Sequence, residues 1–369
     1  MSKADFHLPD GNYLLNHSVG RPLKSLEQSF QEQFFAPWQR GVTEPWGQWL
    51  GIIDDFTAQL SQLFNSDAKL FCPQVNLSSG LTKILHALPA LSAKNVTIVM
   101  TEQDFPSMGF AIQQSLPNAR IRYIPETQDV TDSNVWHQHL TNDVDLVFIS
   151  HAYSNSGQLA PIADIISLAR DRGIISILDI AQSAGVIPLD LSLTAPDFMI
   201  GSSVKWLCSG PGAAYLWINE QHLDSCQPVD VGWFSHENPF EFDIHHFKYH
   251  PTAMRFWGGT PSIAPYAIAA HTLKYFNQHD NTWLHHHNQQ MLDMIWQQLG
   301  DFIRSPQSPA SRSGTAIMHF NDRHETVLAA LAEERIAIDS RALGIRVSPH
   351  VYNQKDDVQQ FIQVVKAQL

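Results

Sequence analysis

Between Val96 and Ile200 the chain alternates short β-branched apolar runs with amphipathic stretches, and this alternation constrains its fold more than any other feature. Val96 to Met100, Ile121 to Ile124, Val144 to Ser150, Ile174 to Leu178 and Phe198 to Ile200 have the length and composition of strands. Met108 to Leu116 and Ile162 to Arg170 carry helical spacing between them. Strands apolar on both faces must be covered on both faces, so the pattern implies a mostly parallel, doubly wound α/β sheet. A further amphipathic helix is expected over Trp46 to Leu63. After Pro261 the pattern changes: Ser262 to Tyr275 reads as a long helix, and Thr315 to Phe320 and Ile336 to Asp339 read as strands of a smaller α+β lobe. With 369 residues the chain exceeds what one core usually organises. The expected division is an N-terminal arm over 1–21 that packs with the small domain, a large domain over 22–261 and a small C-terminal domain over 262–369.

A formal charge of −13 with only 23 basic residues argues against nucleic acid or an anionic membrane as partner. No apolar run approaches the roughly 18 to 20 residues that cross a bilayer. Cys72, Cys208 and Cys226 show no metal-ligand spacing, and no apolar leader follows a basic start, so a cytoplasmic location is the expectation. His285, His286 and His287 are consecutive and would point in different directions on a helix, so no metal site is expected.

The apolar run from Ile174 is closed by Asp179, and the run from Phe198 leads through Gly201, Ser202 and Ser203 to Lys205 and a Ser209-Gly210-Pro211-Gly212 turn. Ligands of open α/β sheets sit at the carboxyl ends of strands, so one carboxylate and one amine are expected in one pocket. Pyridoxal phosphate uses such a pair: a lysine joins its aldehyde as a Schiff base, and a carboxylate keeps its pyridine nitrogen protonated. Lys205 and Asp179 are the candidate catalytic residues. The pattern D-x-A-x-S-A-G from Asp179, followed by S-S-x-K-W from Ser202, resembles the class V aminotransferase family of fold-type I pyridoxal-phosphate enzymes. Within that family the chain is most similar to the kynureninases.

The resemblance implies pyridoxal 5'-phosphate as cofactor and places further residues around it. Ser78-Ser79-Gly80-Leu81-Thr82 supplies the hydroxyl and N–H groups that a phosphate needs at a helix start, with the helix expected from about Lys83. Leu81, through its backbone, and Thr82 are the implied phosphate ligands, although the same residues also suit an ordinary helix cap. Phe105, in Asp104-Phe105-Pro106-Ser107, is implied to stack on the cofactor ring, and Asn155 and Gln182 to lie beside it. Ser202 or Ser203 adds a hydroxyl. Gly259 and Thr260 match a segment that reaches the phosphate of the other subunit, which implies a homodimer with sites at the interface. Arg346, in Gly344-Ile345-Arg346-Val347-Ser348-Pro349, matches the arginine that holds a substrate carboxylate. Trp233 and His236, in Val231-Gly232-Trp233-Phe234-Ser235-His236, fit either the substrate side of the cofactor or an aromatic cluster at the lobe boundary.

Three positions depart from the kynureninase pattern. Val204 stands where a tyrosine usually precedes the lysine, Gln182 where a histidine follows the aspartate, and Met108 where F-P-S is followed by a carboxylate. Hydrolysis of a β-keto amino acid needs acid/base groups beyond the lysine, so these losses favour transamination of an α-amino acid. Kynureninase-type hydrolysis is the alternative, and a catalytically weak cofactor-binding protein a third reading. A cysteine desulfurase needs a thiolate in the C-terminal lobe, and no cysteine follows Cys226.

Overall fold

A computed structural model describes residues 3–92 and 95–369. Its strands, in chain order, are β1 (Asn12–Tyr13), β2 (Phe71–Gln74), β3 (Thr97–Thr101), β4 (Arg120–Ile124), β5 (Leu146–Ser150), β6 (Ile175–Asp179), β7 (Phe198–Ser202), β8 (Ala214–Ile218), β9 (Ala316–Met318), β10 (Ile336–Ala337), β11 (Asp339–Arg341) and β12 (Gly344–Val347). Seven of them form one sheet in the order β2-β8-β7-β6-β5-β3-β4. From β4 to β7 neighbouring strands run parallel, and β8 is antiparallel to both β7 and β2. The register pairs Ser150 with Asp179 and Asp179 with Ile200, so the carboxyl ends of β5, β6 and β7 lie side by side. That is the edge at which open α/β sheets bind ligands.

Two strands of this sheet fall outside the alternating pattern. Phe71–Gln74 contains Pro73, which cannot donate to a ladder and so suits the edge position that β2 occupies. Ala214–Ile218 follows the Gly/Pro turn directly and returns antiparallel to β7, without a crossover helix to announce it.

Helix Ala264–Phe276, which follows the expected lobe boundary, packs on the core of the large sheet. Its Tyr266, Ala267, Ala270 and Leu273 belong to the same core as the sheet, and Tyr266 packs on Phe56 of helix Trp46–Phe64 at a ring separation of 5.0 Å. A second core begins only within helix Trp283–Leu299, whose Leu284 joins the first and whose Met291, Leu292 and Ile295 join the second. The sequence signal at Pro261 marked a change of pattern, whereas burial assigns the following helix to the large sheet. In the second core Val358, Phe361, Ile362 and Val365 of helix Lys355–Lys366 cover the antiparallel sheet β11-β12-β9. The expected single strand to Asp339 is two pieces, β10 and β11, interrupted at Ile338.

The N-terminal arm ties the two cores together. Its β1 runs parallel to β10, Ser348 donates its N–H to the Leu14 carbonyl at 2.9 Å, and Gly20 donates to the Val204 carbonyl at 3.0 Å. A Cβ on Gly20 would lie 2.1 Å from the Lys205 carbonyl oxygen, so only glycine lets the arm pass this close to the lysine. Among the described residues no helix is long and apolar enough to cross a membrane.

Candidate active site

The loops that leave β3, β5, β6 and β7 enclose, with the start of helix Leu77–Ala87, a cavity of about 190 Å³. Asp179, Gln182, Ser202, Lys205 and Phe105 all line it. Asp179 is the last residue of β6, and its Oδ1 accepts the Ala181 N–H at 2.7 Å. Burial raises its carboxyl to about 6, with the Ala181 bond and the Lys205 charge opposing. Burial lowers the Lys205 amine to about 8 against the pull of Asp179, and the nearby Arg346 charge lowers it further. Near neutrality the wall therefore carries one carboxylate and one ammonium, and the ammonium needs only a small rise in pH to become a free amine.

Because acylation requires the neutral amine, acetic anhydride labelling of Lys205 in the cofactor-free protein should reach half its limiting rate near pH 8. Surface lysines should do so near their ordinary value of about 10.4. A Lys205 profile that overlays theirs removes the argument that burial primes this amine.

Phe105 leads into helix Pro106–Ser115 and leaves 49% of its surface exposed, with its ring in the cavity wall. Beneath it the buried carboxylate of Asp104 accepts Ser150 Oγ–H at 2.6 Å and the Thr101 N–H at 2.7 Å, and burial pushes it up to about 7. Ser150 is the register partner of Asp179. One clip thus fixes the Phe105 loop to the strand end that carries the carboxylate. Gln182 donates Nε2–H to the His17 carbonyl at 3.2 Å, and its own carbonyl accepts Trp206 Nε1–H at 2.9 Å.

Other expected residues lie elsewhere. The helix begins at Leu77, with Asn76 Oδ1 accepting the Ser79 N–H at 2.8 Å, so Leu81 and Thr82 are a full turn inside it. Leu81 is packed in the core, and Thr82 Oγ1 faces Ser115 Oγ at 3.5 Å. The N–H groups free at a helix start belong here to the turn at Leu77 and Ser78, both of which line the cavity. Ser203 is buried outside the wall and its Oγ has no hydrogen-bond partner among the described residues. Asn155 is exposed at the tip of a turn closed by Gly157 N–H on the Tyr153 carbonyl at 2.9 Å, and Tyr153 and Ser154 line the cavity in its stead.

Gly259 and Thr260 are exposed and do not line this chain's cavity. Trp233 packs with Trp46, Phe234 and Phe240, and His236 bonds the Lys248 carbonyl at 2.9 Å and Glu241 at 3.0 Å. Neither residue lines this chain's cavity. Arg346 is buried directly behind Ser154, donating Nη1–H to its carbonyl at 3.1 Å while Asp339 takes Nε–H at 2.8 Å.

A half-exposed aromatic face, a carboxylate at a strand end, a near-neutral lysine amine and an open helix start fit the ring, nitrogen, aldehyde and phosphate of pyridoxal phosphate. Together with the sheet order they define a fold-type I pyridoxal-phosphate enzyme. The sequence profile of the family Aminotransferase class-V matches residues 70–361, and the chain belongs to that family. It is 29% identical to the kynureninase of Deinococcus radiodurans, over 75% of this chain and 68% of that one. It is also 24% identical to the uncharacterized aminotransferase YcbU of Bacillus subtilis, over 79% of this chain and 77% of that one. Among solved structures, the cystine C–S lyase C-DES in complex with cysteine persulfide superposes with a TM-score of 0.87 at 20% identity, covering 97% of this chain and 98% of that one. The cysteine desulfurase of Thermococcus onnurineus superposes with a TM-score of 0.86 at 18% identity, covering 97% and 94%.

Proposed function

We propose that this enzyme transaminates an α-amino acid, with Lys205 as its acid/base group. The observation that carries the reading is the cavity wall itself: among the described residues, its only titratable side chain apart from Asp179 and Lys205 is Tyr153, which burial holds well above its ordinary range. When bound, the cofactor supplies an aldehyde for the substrate amine and a protonated ring that accepts the electrons released at Cα. Asp179 holds the proton on the ring nitrogen. Phe105 covers one ring face and excludes water from it. The backbone N–H groups of Leu77 and Ser78 at the helix start would receive the phosphate. Lys205 Nζ would take up and move the proton released at substrate Cα, which is the whole acid/base requirement of transamination.

Kynureninase-type hydrolysis is the second reading, favoured by the identity to kynureninases over most of the chain. Hydrolysis needs an activated water, and Val204 and Met108 make the wall apolar at two of the positions that could hold one. Thiol chemistry has less support. Cys72, Cys208 and Cys226 are all buried and none lines the cavity; burial pushes Cys72 and Cys226 up to about 12. The exposure of Gly259 and Thr260 suits a homodimer in which they complete a neighbour's site, and the expected setting is the cytoplasm.

A panel of α-amino acids, given one at a time to the holoenzyme without an oxo acid, tests the reading. Transamination yields one equivalent of oxo acid and an amine-form cofactor spectrum. Continuous release of alanine and anthranilate from kynurenine would establish hydrolysis instead, and continuous pyruvate and ammonia from a β-substituted amino acid would establish elimination.

We assign Arg346 to the substrate carboxylate. Arg346→Lys should raise KM at least about tenfold for α-amino acids, because an ammonium cannot reproduce a two-bond contact worth about 1.5 to 3 kcal/mol per bond. Decarboxylated amines should be little affected. Equal losses for both would make Arg346 structural.

A further inference from the structure

The N-terminal arm brings a histidine against the far side of the Arg346 pair. His17 is buried, with Nε2 2.9 Å from Asp339 Oδ1 and Nδ1 2.7 Å from Ser348 Oγ. Its backbone is held as well, the N–H by Ser348 Oγ at 3.0 Å and the carbonyl by Gln182 Nε2 at 3.2 Å. Asp339 stands opposite Arg346 in the β11–β12 ladder. It accepts Nε–H on Oδ1 at 2.8 Å and Nη2–H on Oδ2, while Nη1–H goes to the Ser154 carbonyl. Of the five N–H groups of a guanidinium, three are thereby fixed. One on each terminal nitrogen is left over, and a carboxylate can take two such groups at once.

We propose that His17 and Asp339 are positioning residues for Arg346, a clamp completed by the N-terminal arm that fixes the guanidinium plane so that its remaining edge receives the substrate carboxylate. The proposal rests on the reading of Arg346 as carboxylate anchor. A guanidinium held on one edge loses less freedom when a ligand binds the other, so the clamp acts on affinity. Asp339 is suited to its place. Burial alone would raise its carboxyl, yet the bonds from His17 and Arg346 hold it well below the usual carboxylate range, so it remains an acceptor throughout neutral pH.

The charges facing the imidazole set a pH signature. Asp339 favours the imidazolium, Arg346 and Lys205 oppose it, Arg341 lies 4.0 Å from Asp339, and burial keeps the ring neutral. With neutral His17 donating Nε2–H to Asp339, Nδ1 is left as an acceptor 2.7 Å from Ser348 Oγ, whose one proton is shared between that nitrogen and the Leu14 carbonyl at 3.0 Å. A substrate carboxylate adds a second negative charge beside Asp339 and so favours protonation of His17. By reciprocity, lowering the pH favours the carboxylate.

The test uses the holoenzyme with L-alanine and its decarboxylated counterpart, ethylamine, each titrated against the cofactor absorbance. His17→Ala and Asp339→Asn should each weaken L-alanine about tenfold, a difference of about 1.4 kcal/mol. Ethylamine should change less than twofold. The double variant should be no worse than Asp339→Asn, since His17 acts through Asp339. His17→Gln, which keeps a donor, should recover most of the affinity but not the gain in L-alanine binding between pH 8 and pH 6 seen in the parent. Equal losses on both probes, additive losses, or tighter L-alanine binding by Asp339→Asn would overturn the clamp. Arg346→Lys separates this failure from that of the parent reading. If that variant discriminates the two probes and the His17 variants do not, only the clamp is wrong. If it fails to discriminate them, Arg346 is not the anchor.

Discussion

Lys205→Ala is expected to abolish covalent attachment of the cofactor while leaving its noncovalent site in place. Among the described residues Lys205 is the only lysine in the cavity wall. The parent should carry one cofactor per chain in a bond that borohydride fixes, and the variant should release its cofactor on denaturation after the same treatment. Amino acid turnover should fall at least 10²- to 10⁴-fold, the usual contribution of one positioned acid/base group. The change should not harm the fold. A protonated amine whose folded value is lowered to about 8 from 10.5 costs stability at every pH below about 8, and the cost fades as the pH rises toward 10.5. The cofactor-free form of Lys205→Met, which keeps the stem's packing, should therefore melt higher than the parent at pH 7 and lose that margin above pH 10. A reducible adduct on another lysine of Lys205→Ala would refute the assignment.

The fold was legible where strand and helix periods alternate, because β3, β5, β6 and β7 are covered on both faces and leave continuous apolar runs, whereas the edge strand β4 is buried fully only at Ile124. Legibility ended where a neighbour, and not the segment, decides the structure. Phe71–Gln74 is a strand because it pairs with β8 at an edge that tolerates Pro73. Helix Ala264–Phe276 belongs to the large core because Tyr266 finds Phe56, a contact that no periodicity announces.

The site divides in the same way. Asp179, Lys205, Gln182, Ser202 and Phe105 stand at or just after strand ends, and the sheet register carries all five to one wall. The helix was expected to start too late because Ser78, Ser79 and Asn76 are equally good caps by type, and only geometry shows that Asn76 takes the role. Asn155 and Ser154 differ by one position in a tight turn, which is enough to exchange cavity for solvent. His17 and Asp339 gave no sequence signal at all. They meet through the arm and a hairpin register at opposite ends of the chain.

Asp179→Asn should keep the fold and most of the cofactor while slowing exchange of the substrate α-proton by several orders of magnitude. An amide still accepts the Ala181 N–H through its oxygen, so the turn after β6 survives. What it loses is charge. Each unit by which the carboxylate raises the proton affinity of its partner nitrogen is worth about 1.4 kcal/mol, or tenfold, so a shift of about three units corresponds to about a thousandfold in a rate that depends on that proton. The α-proton of L-alanine in deuterated water, followed by NMR, reports this step without requiring a completed turnover. Stability should move the other way. A carboxyl raised to about 6 in the fold, from 3.8, penalises the cofactor-free parent above pH 6 and not below pH 3.8, so Asn should stabilise it at pH 7 and give no advantage near pH 3.5. The two readouts constrain each other. Slower exchange without the pH-dependent gain in stability would mean that Asp179 acts on the ring nitrogen but is not penalised by burial. The gain without slower exchange would mean that it is a buried carboxylate with no hold on the nitrogen, and the assignment of Asp179 would fall.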